Sequence, residues 1–125
     1  MIDHISVGVS DIERAARFYE ATLATLGLTR LVTRPRTVGF GKAYPEFWIN
    51  LRENMARVPA GSGVHICLRT KTIDEVDAFH AAALAAGGAS DGAPGIRPHD
   101  RVRYYAAFVF DPDGNRIEAV TFPAE

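Results

Sequence analysis

Two histidines, His4 and His65, stand 61 residues apart at the start of segments that read as copies of one another, and Asn50 and Glu118 occupy a second pair of corresponding places. Imidazole nitrogens and carboxylate oxygens are donors for divalent transition metals, and an amide oxygen is a poorer one. Side chains of these types at symmetry-related places imply a two-fold metal or ligand site.

The copies are residues 4–27 and 65–88, which superpose without a gap. Eight of the 24 positions are identical, among them Ile5 with Ile66, Ile12 with Ile73, Phe18 with Phe79 and Gly27 with Gly88. Ordinary composition would give about two or three identities. Further along, an offset of 68 places Phe40 on Phe108, Ile49 on Ile117 and Asn50 on Glu118, so the second half carries seven extra residues, assigned to the loop between Gly88 and Tyr104. A repeat of this length sets the architecture.

The elements that must position these residues follow from periodicity. Ile5, Val7 and Val9 alternate with His4, Ser6 and Gly8 at strand spacing. Ser10 and Glu13 have the spacing of a capping box, and Ile12, Ala16, Tyr19, Leu23 and Leu26 then lay down a helical stripe ending at Gly27. Strands are expected over 29–34, 37–42 and 46–53. The second half repeats this order. It has a strand over 65–69, a helix from the Thr72/Glu75 box to Gly87 and Gly88, and a weak edge strand plus loop between Ala89 and Arg103. A strand over 104–110, a tight Asp111-Pro112-Asp113-Gly114-Asn115 turn and a final strand over 116–122 complete it. The chain reads as α+β, one domain of two β-α-β-β-β modules, 1–58 and 62–123, forming a cupped, mixed eight-stranded sheet.

Strand parity puts His4, His65, Asn50 and Glu118 on the face away from the helices, and the neighbouring Ile5, Ile66, Ile49 and Ile117 beneath the helices. A buried Glu118 with neither a cation nor a hydrogen-bonding partner would cost several kcal/mol, so that face must supply compensation.

Net charge is −1 over 125 residues, 47% of them hydrophobic, an ordinary balance for a soluble domain. Basic residues are scattered apart from Arg97, Arg101 and Arg103, which argues against a nucleic-acid groove. No apolar run approaches the ~20 residues of a membrane span, and no signal peptide is evident. With the single Cys67 no internal disulfide can form, and a cytoplasmic location is expected.

From Asp3-His4-Ile5 through His65-Ile66 to Asp111-Pro112-Asp113-Gly114-Asn115-Arg116-Ile117-Glu118, the chain resembles the vicinal oxygen chelate superfamily of glyoxalases, extradiol dioxygenases and fosfomycin and bleomycin resistance proteins. The resemblance implies two modules cupped around one divalent metal, with His4, His65 and Glu118 at metal positions. Asn50 departs from the glyoxalase I pattern, which has a carboxylate there. Two histidines and one glutamate with open positions would suit Fe(II), Mn(II), Ni(II) or Zn(II). A substrate with neighbouring oxygens could then chelate the ion, in lyase, isomerase or dioxygenase chemistry. Small members of the superfamily are usually homodimers, and the cup can close within one chain or by exchange of modules.

Candidate catalytic groups are Glu118, His99 and Tyr104. Trp48, Asn50, Tyr105, Arg97, Arg101 and Arg103 are candidates for holding substrate, the arginines as anion anchors. The competing reading makes the arginines solvated, one tyrosine core and Trp48 a core aromatic. Phe40 and Phe108 read as symmetry mates in core or pocket floor, Cys67 as an inert thiol facing the cup, and His80 as a surface residue. The alternative to an enzyme is a metal-free protein that sequesters a small molecule, as in bleomycin resistance.

Overall fold

A computed structural model describes residues 1–124. The first module runs β1 (Ile5–Val9), α1 (Ile12–Ala24), β2 (Thr29–Arg34), β3 (Thr37–Gly41) and β4 (Pro45–Leu51). The second runs β5 (His65–Arg69), α2 (Ile73–Ala85), β6 (Ala89–Arg97), β7 (Tyr104–Phe110) and β8 (Arg116–Thr121). The eight strands hydrogen-bond as two four-stranded mixed sheets, ordered β1-β4-β3-β2 and β5-β8-β7-β6, with β1 parallel to β4 and β5 parallel to β8.

Both helices lie on the same side of their sheets as the core. α1 buries Ala15, Phe18, Tyr19 and Leu23, and α2 buries Val76, Phe79 and Ala83. These join Phe40, Phe47, Ile49, Val109 and Ile117 in one cluster spanning the two modules. The modules meet helix against helix, α1 on α2. Gly88 permits that approach, since a Cβ there would lie 2.6 Å from the Phe18 ring.

The expected capping box at Thr72 forms as read: Thr72 Oγ1 accepts from Glu75 N at 3.1 Å and donates to Glu75 Oε1 at 3.0 Å. The one at Ser10 does not. Asp11 caps α1 by accepting from Arg14 N, and Ser10 is diverted to Asp113, which accepts from its backbone N–H at 3.1 Å and its hydroxyl at 2.5 Å. The Asp111–Asn115 turn is therefore a clasp between modules as well as a hairpin. Asp111 is buried and accepts from Tyr19 Oη at 2.6 Å, from Asn115 Nδ2 and from the backbone of Asp113 and Asn115. Burial raises the Asp111 carboxyl above the ordinary range, opposed by the bonds from Tyr19 and Asn115.

Register corrects one symmetry relation. Phe108 pairs with Glu118 and shares its face, whereas Phe40 pairs with Phe47 and is wholly buried on the helix side. Irregularities in β3–β4 pairing near Gly41 shift the ladder and undo the constant offset of 68. By the same registers Glu118 lies beside Cys67, while Asn50 lies beside Gly8, two residues beyond Ser6, the counterpart of Cys67.

Candidate active site

Glu118 is almost completely buried on the face of its sheet away from the helices. Its neighbours come from the strands on either side. From β5, His65 Nε2 lies 3.0 Å from Glu118 Oε1, and from β7 the Tyr104 hydroxyl donates to Glu118 Oε2. Cys67 sits beside Glu118 in register. The carboxylate thus has the compensation that its burial requires. His65 is 47% exposed, so the pair opens to solvent on the histidine side.

The environment holds protons on both neighbours. Burial, followed by the Glu118 charge, pushes the Cys67 thiol up to about 12. Burial and the hydrogen bond to Glu118 push the Tyr104 phenol well above its usual value. Tyr104 is thus a donor toward the carboxylate at neutral pH, and the Cys67 thiol is not a ready nucleophile.

Aromatic rings wall this face. Tyr104 stands edge-on to Phe122 at 5.5 Å, and His99 stacks on Tyr104 at 5.9 Å with its Nδ1 accepting from the Arg101 and Val102 backbone. Those bonds leave Nε2 to carry the proton of the neutral ring. Phe108 lies 6.4 Å from His65. Arg97 stacks over Phe108 at 5.4 Å and donates to the carbonyls of Ala93 and Gly95, while Arg69 stacks over Phe122 at 4.7 Å. Arg69 was missed in the sequence, although it lies two positions beyond Cys67 and parity alone puts it on this face.

Three residues expected at the pocket lie elsewhere or are otherwise engaged. Tyr105 turns to the helix side and donates to Asp77 of α2 at 2.6 Å, because it directly follows Tyr104 in a strand and must face the other way. Arg103 reaches the carbonyl of Ala124. Arg101 is exposed.

The corresponding face of the first module carries Ser6, Trp48 and Asn50. Asn50 Oδ1 accepts from Thr37 Oγ1 at 2.5 Å. Trp48 lies flat across Gly39, where an added Cβ would come within 2.9 Å of two ring carbons. His4, immediately before β1, is more than half exposed and pairs with Asp3 at 2.7 Å. Among the described residues no three His, Cys, Asp or Glu side chains gather into a set able to hold a metal ion, so within one chain His4 does not join His65 and Glu118. The structure therefore brings together His65, Glu118, Tyr104 and His99 of the expected residues, with Arg97 at their edge, and leaves His4, Trp48 and Asn50 on the other module.

The comparisons agree with this architecture. Residues 1–119 match the Glyoxalase/Bleomycin resistance protein/Dioxygenase superfamily. A glyoxalase/bleomycin resistance protein from Albidiferax ferrireducens is 33% identical, with a TM-score of 0.84 over 95% of this chain and 97% of that one. A genomically encoded fosfomycin resistance protein, FosX, from Listeria monocytogenes superposes with a TM-score of 0.68 at 17% identity, covering 97% and 92% of the two chains. A glyoxalase I variant from Zea mays superposes at 0.70 and 22% identity, over 94% of this chain and 44% of that one. At such identities the last two show the fold alone. No curated protein matches. On the span of the family match and the identity to the Albidiferax protein, the chain belongs to the Glyoxalase/Bleomycin resistance protein/Dioxygenase superfamily.

Proposed function

We propose that this protein is a metal-dependent enzyme of glyoxalase or dioxygenase type, of the lyase or isomerase kind, acting on a small oxygenated substrate. The observation that carries the reading is the contact between His65 Nε2 and Glu118 Oε1 on the open face of the second sheet. An imidazole nitrogen and a carboxylate oxygen already side by side at 3.0 Å are donor types that would hold a divalent transition metal together. Two donors leave room for a third, and His4 of a second copy is the candidate.

The argument for a second copy is topological. The helix-side faces of both sheets are used up against each other in one shared core. The faces carrying His4 and His65 are left open, and among the described residues no strand of one sheet pairs with the other. Two chains exchanging modules would set the Trp48 face of one against the Glu118 face of the other. A homodimer with two such cups is the assembly proposed, and no nucleic acid or membrane partner is invoked. Among the described residues no helix is long and apolar enough to cross a membrane, and we place the protein in the cytoplasm on its composition.

Fe, Mn, Ni or Zn held by these residues would polarise a substrate carbonyl or stabilise enolate-like charge when bound. The chain's own groups do the rest. Tyr104, kept protonated, fixes the orientation of Glu118 by donating to Oε2. His99 presents Nε2 at the rim as an exchangeable proton carrier. Phe108 and Phe122 exclude water, and Arg69 and Arg97 hold positive charge beside them.

Metal content of the purified protein, before and after reloading with Fe(II), Mn(II), Ni(II) and Zn(II), tests this. Near-stoichiometric metal that disappears in His65→Ala is expected. A second reading, a metal-free protein that sequesters a small molecule, draws on the fact that Tyr104 and His65 already satisfy Glu118. It becomes the working description if the wild type cannot be loaded.

A further inference from the structure

On the helix side of the first module, away from the Glu118 face, α1 and the β2–β3 hairpin enclose a groove of about 490 Å³. Its floor is apolar, made by Ile12, Ala16 and Val38, the last two buried. Its rim carries Arg17, Arg30 and Arg34 against a single carboxylate, Glu13. Arg30 lies 2.6 Å from Glu20. Among the described residues, Arg17 and Arg34 have no carboxylate within 4 Å. Two guanidinium groups without counter-charge therefore flank an apolar floor, in a volume within the range of small-molecule sites.

The repeat supplies an internal comparison. At the offset of 61 residues, Glu13, Ala16, Arg17 and Arg30 correspond to Asp74, Asp77, Ala78 and Asp91. The second module thus carries a carboxylate in place of Ala16 and of Arg30, both engaged, Asp77 by Tyr105 and Asp91 by Arg116, and an alanine in place of Arg17. Positive charge here is a property of this module, not of the β-α-β-β-β fold.

We infer that this groove is a second ligand site, separate from the Glu118 face, for an amphipathic anion: an apolar body lying on Ile12, Ala16 and Val38 and an acidic head held between Arg17 and Arg34. A carboxylate or sulfonate head meets a guanidinium as a paired set of charge-assisted hydrogen bonds, and the apolar body is drawn from water by the floor.

The test is a fluorescence titration of the wild-type protein with 8-anilinonaphthalene-1-sulfonate, followed by displacement with decanoate or decanol. Saturable binding at one probe per chain is expected, with decanoate displacing it and decanol at equal concentration failing to. The exposed pair Arg17→Glu and Arg34→Glu should weaken binding at least tenfold, with circular dichroism and melting temperature showing an intact fold. Trp48→Ala and His65→Ala should leave it unchanged. Equal displacement by decanol, indifference to the arginine changes or loss of the probe in Trp48→Ala would each overturn the inference. So would a sedimentation shift of the arginine variant toward monomer, which would show that a second copy covers the groove.

Discussion

Tyr19 and Asp111, 92 residues apart in sequence, meet through a 2.6 Å hydrogen bond inside the protein and so join the helix of one module to the turn of the other. The phenol's own pKa is raised by burial and by Asp111, so it remains a donor at all ordinary pH values. Tyr19→Phe keeps the ring and deletes only this donor. A loss of about 1–3 kcal/mol in urea unfolding is expected. The sign of its pH dependence is also fixed. Asp111 titrates above its unfolded value, so its contribution is fully present at low pH and is lost as pH rises through the folded value. Because the Tyr19 bond opposes that rise, the deficit of Tyr19→Phe should be larger at pH 7 than at pH 4. An equal deficit at both would show that Asp111 is not the partner that matters.

Cys67 should react sluggishly despite its exposure. A thiol raised from 9.0 to about 12 has roughly a thousandfold less thiolate at pH 8. Higher nucleophilicity per thiolate offsets part of this, leaving alkylation about 30-fold slower than for an unperturbed cysteine. Glu118→Gln removes the charge that helps hold the proton, so iodoacetamide labelling should accelerate. Stopped-time mass spectrometry measures both rates.

Gly39 is required by the ring above it rather than by its backbone. Gly39→Ala sets a methyl about 2.9 Å from Trp48 Cε3 and Cζ3, so the indole must lift off β3. Trp48 is the only tryptophan, and its emission should shift and become more accessible to acrylamide. Overpacking of this kind costs about 1–3 kcal/mol.

The exchange of modules predicts complementation. His4→Ala and His65→Ala homodimers should each bind no metal, because every cup lacks a ligand. A mixed dimer regains one intact cup, with His4 from one chain and His65 and Glu118 from the other. Co-expression with two tags and purification through both should recover about half the wild-type metal content. An empty mixed dimer would place all ligands in one chain.

Most of the fold was legible because both copies carry the same stripe and the same terminal glycines, so each supported the other's helix and strands. The Glu118 centre was half legible. Parity found His65 and Glu118, and the strand expected over 104–110 does open at Tyr104, while the reach of its hydroxyl to the carboxylate is set by pairing that spacing does not reveal. What could not be read were competitions settled by distant residues. Ser10 has the spacing of a cap, and Asp113 takes it from 103 residues away. Phe40 and Phe108 align in sequence, and an irregular ladder turns them to opposite faces.

The hydrogen bonds at the Asp111–Asn115 turn are shared unevenly between the two halves. The carboxylate acceptors Asp111 and Asp113 belong to the second half and their donors Ser10, Arg14 and Tyr19 to the first, with Asn115 donating the other way to the Gly8 carbonyl, and at the offset of 68 the first half holds Ala43 and Pro45 in place of the two aspartates. A primitive half-length ancestor pairing with its own twin would need both roles in one piece, whereas here the halves have become lock and key. Neither could be replaced by a duplicate of the other, and fragments cut between residues 58 and 62 should reassemble as unlike pairs in preference to like ones.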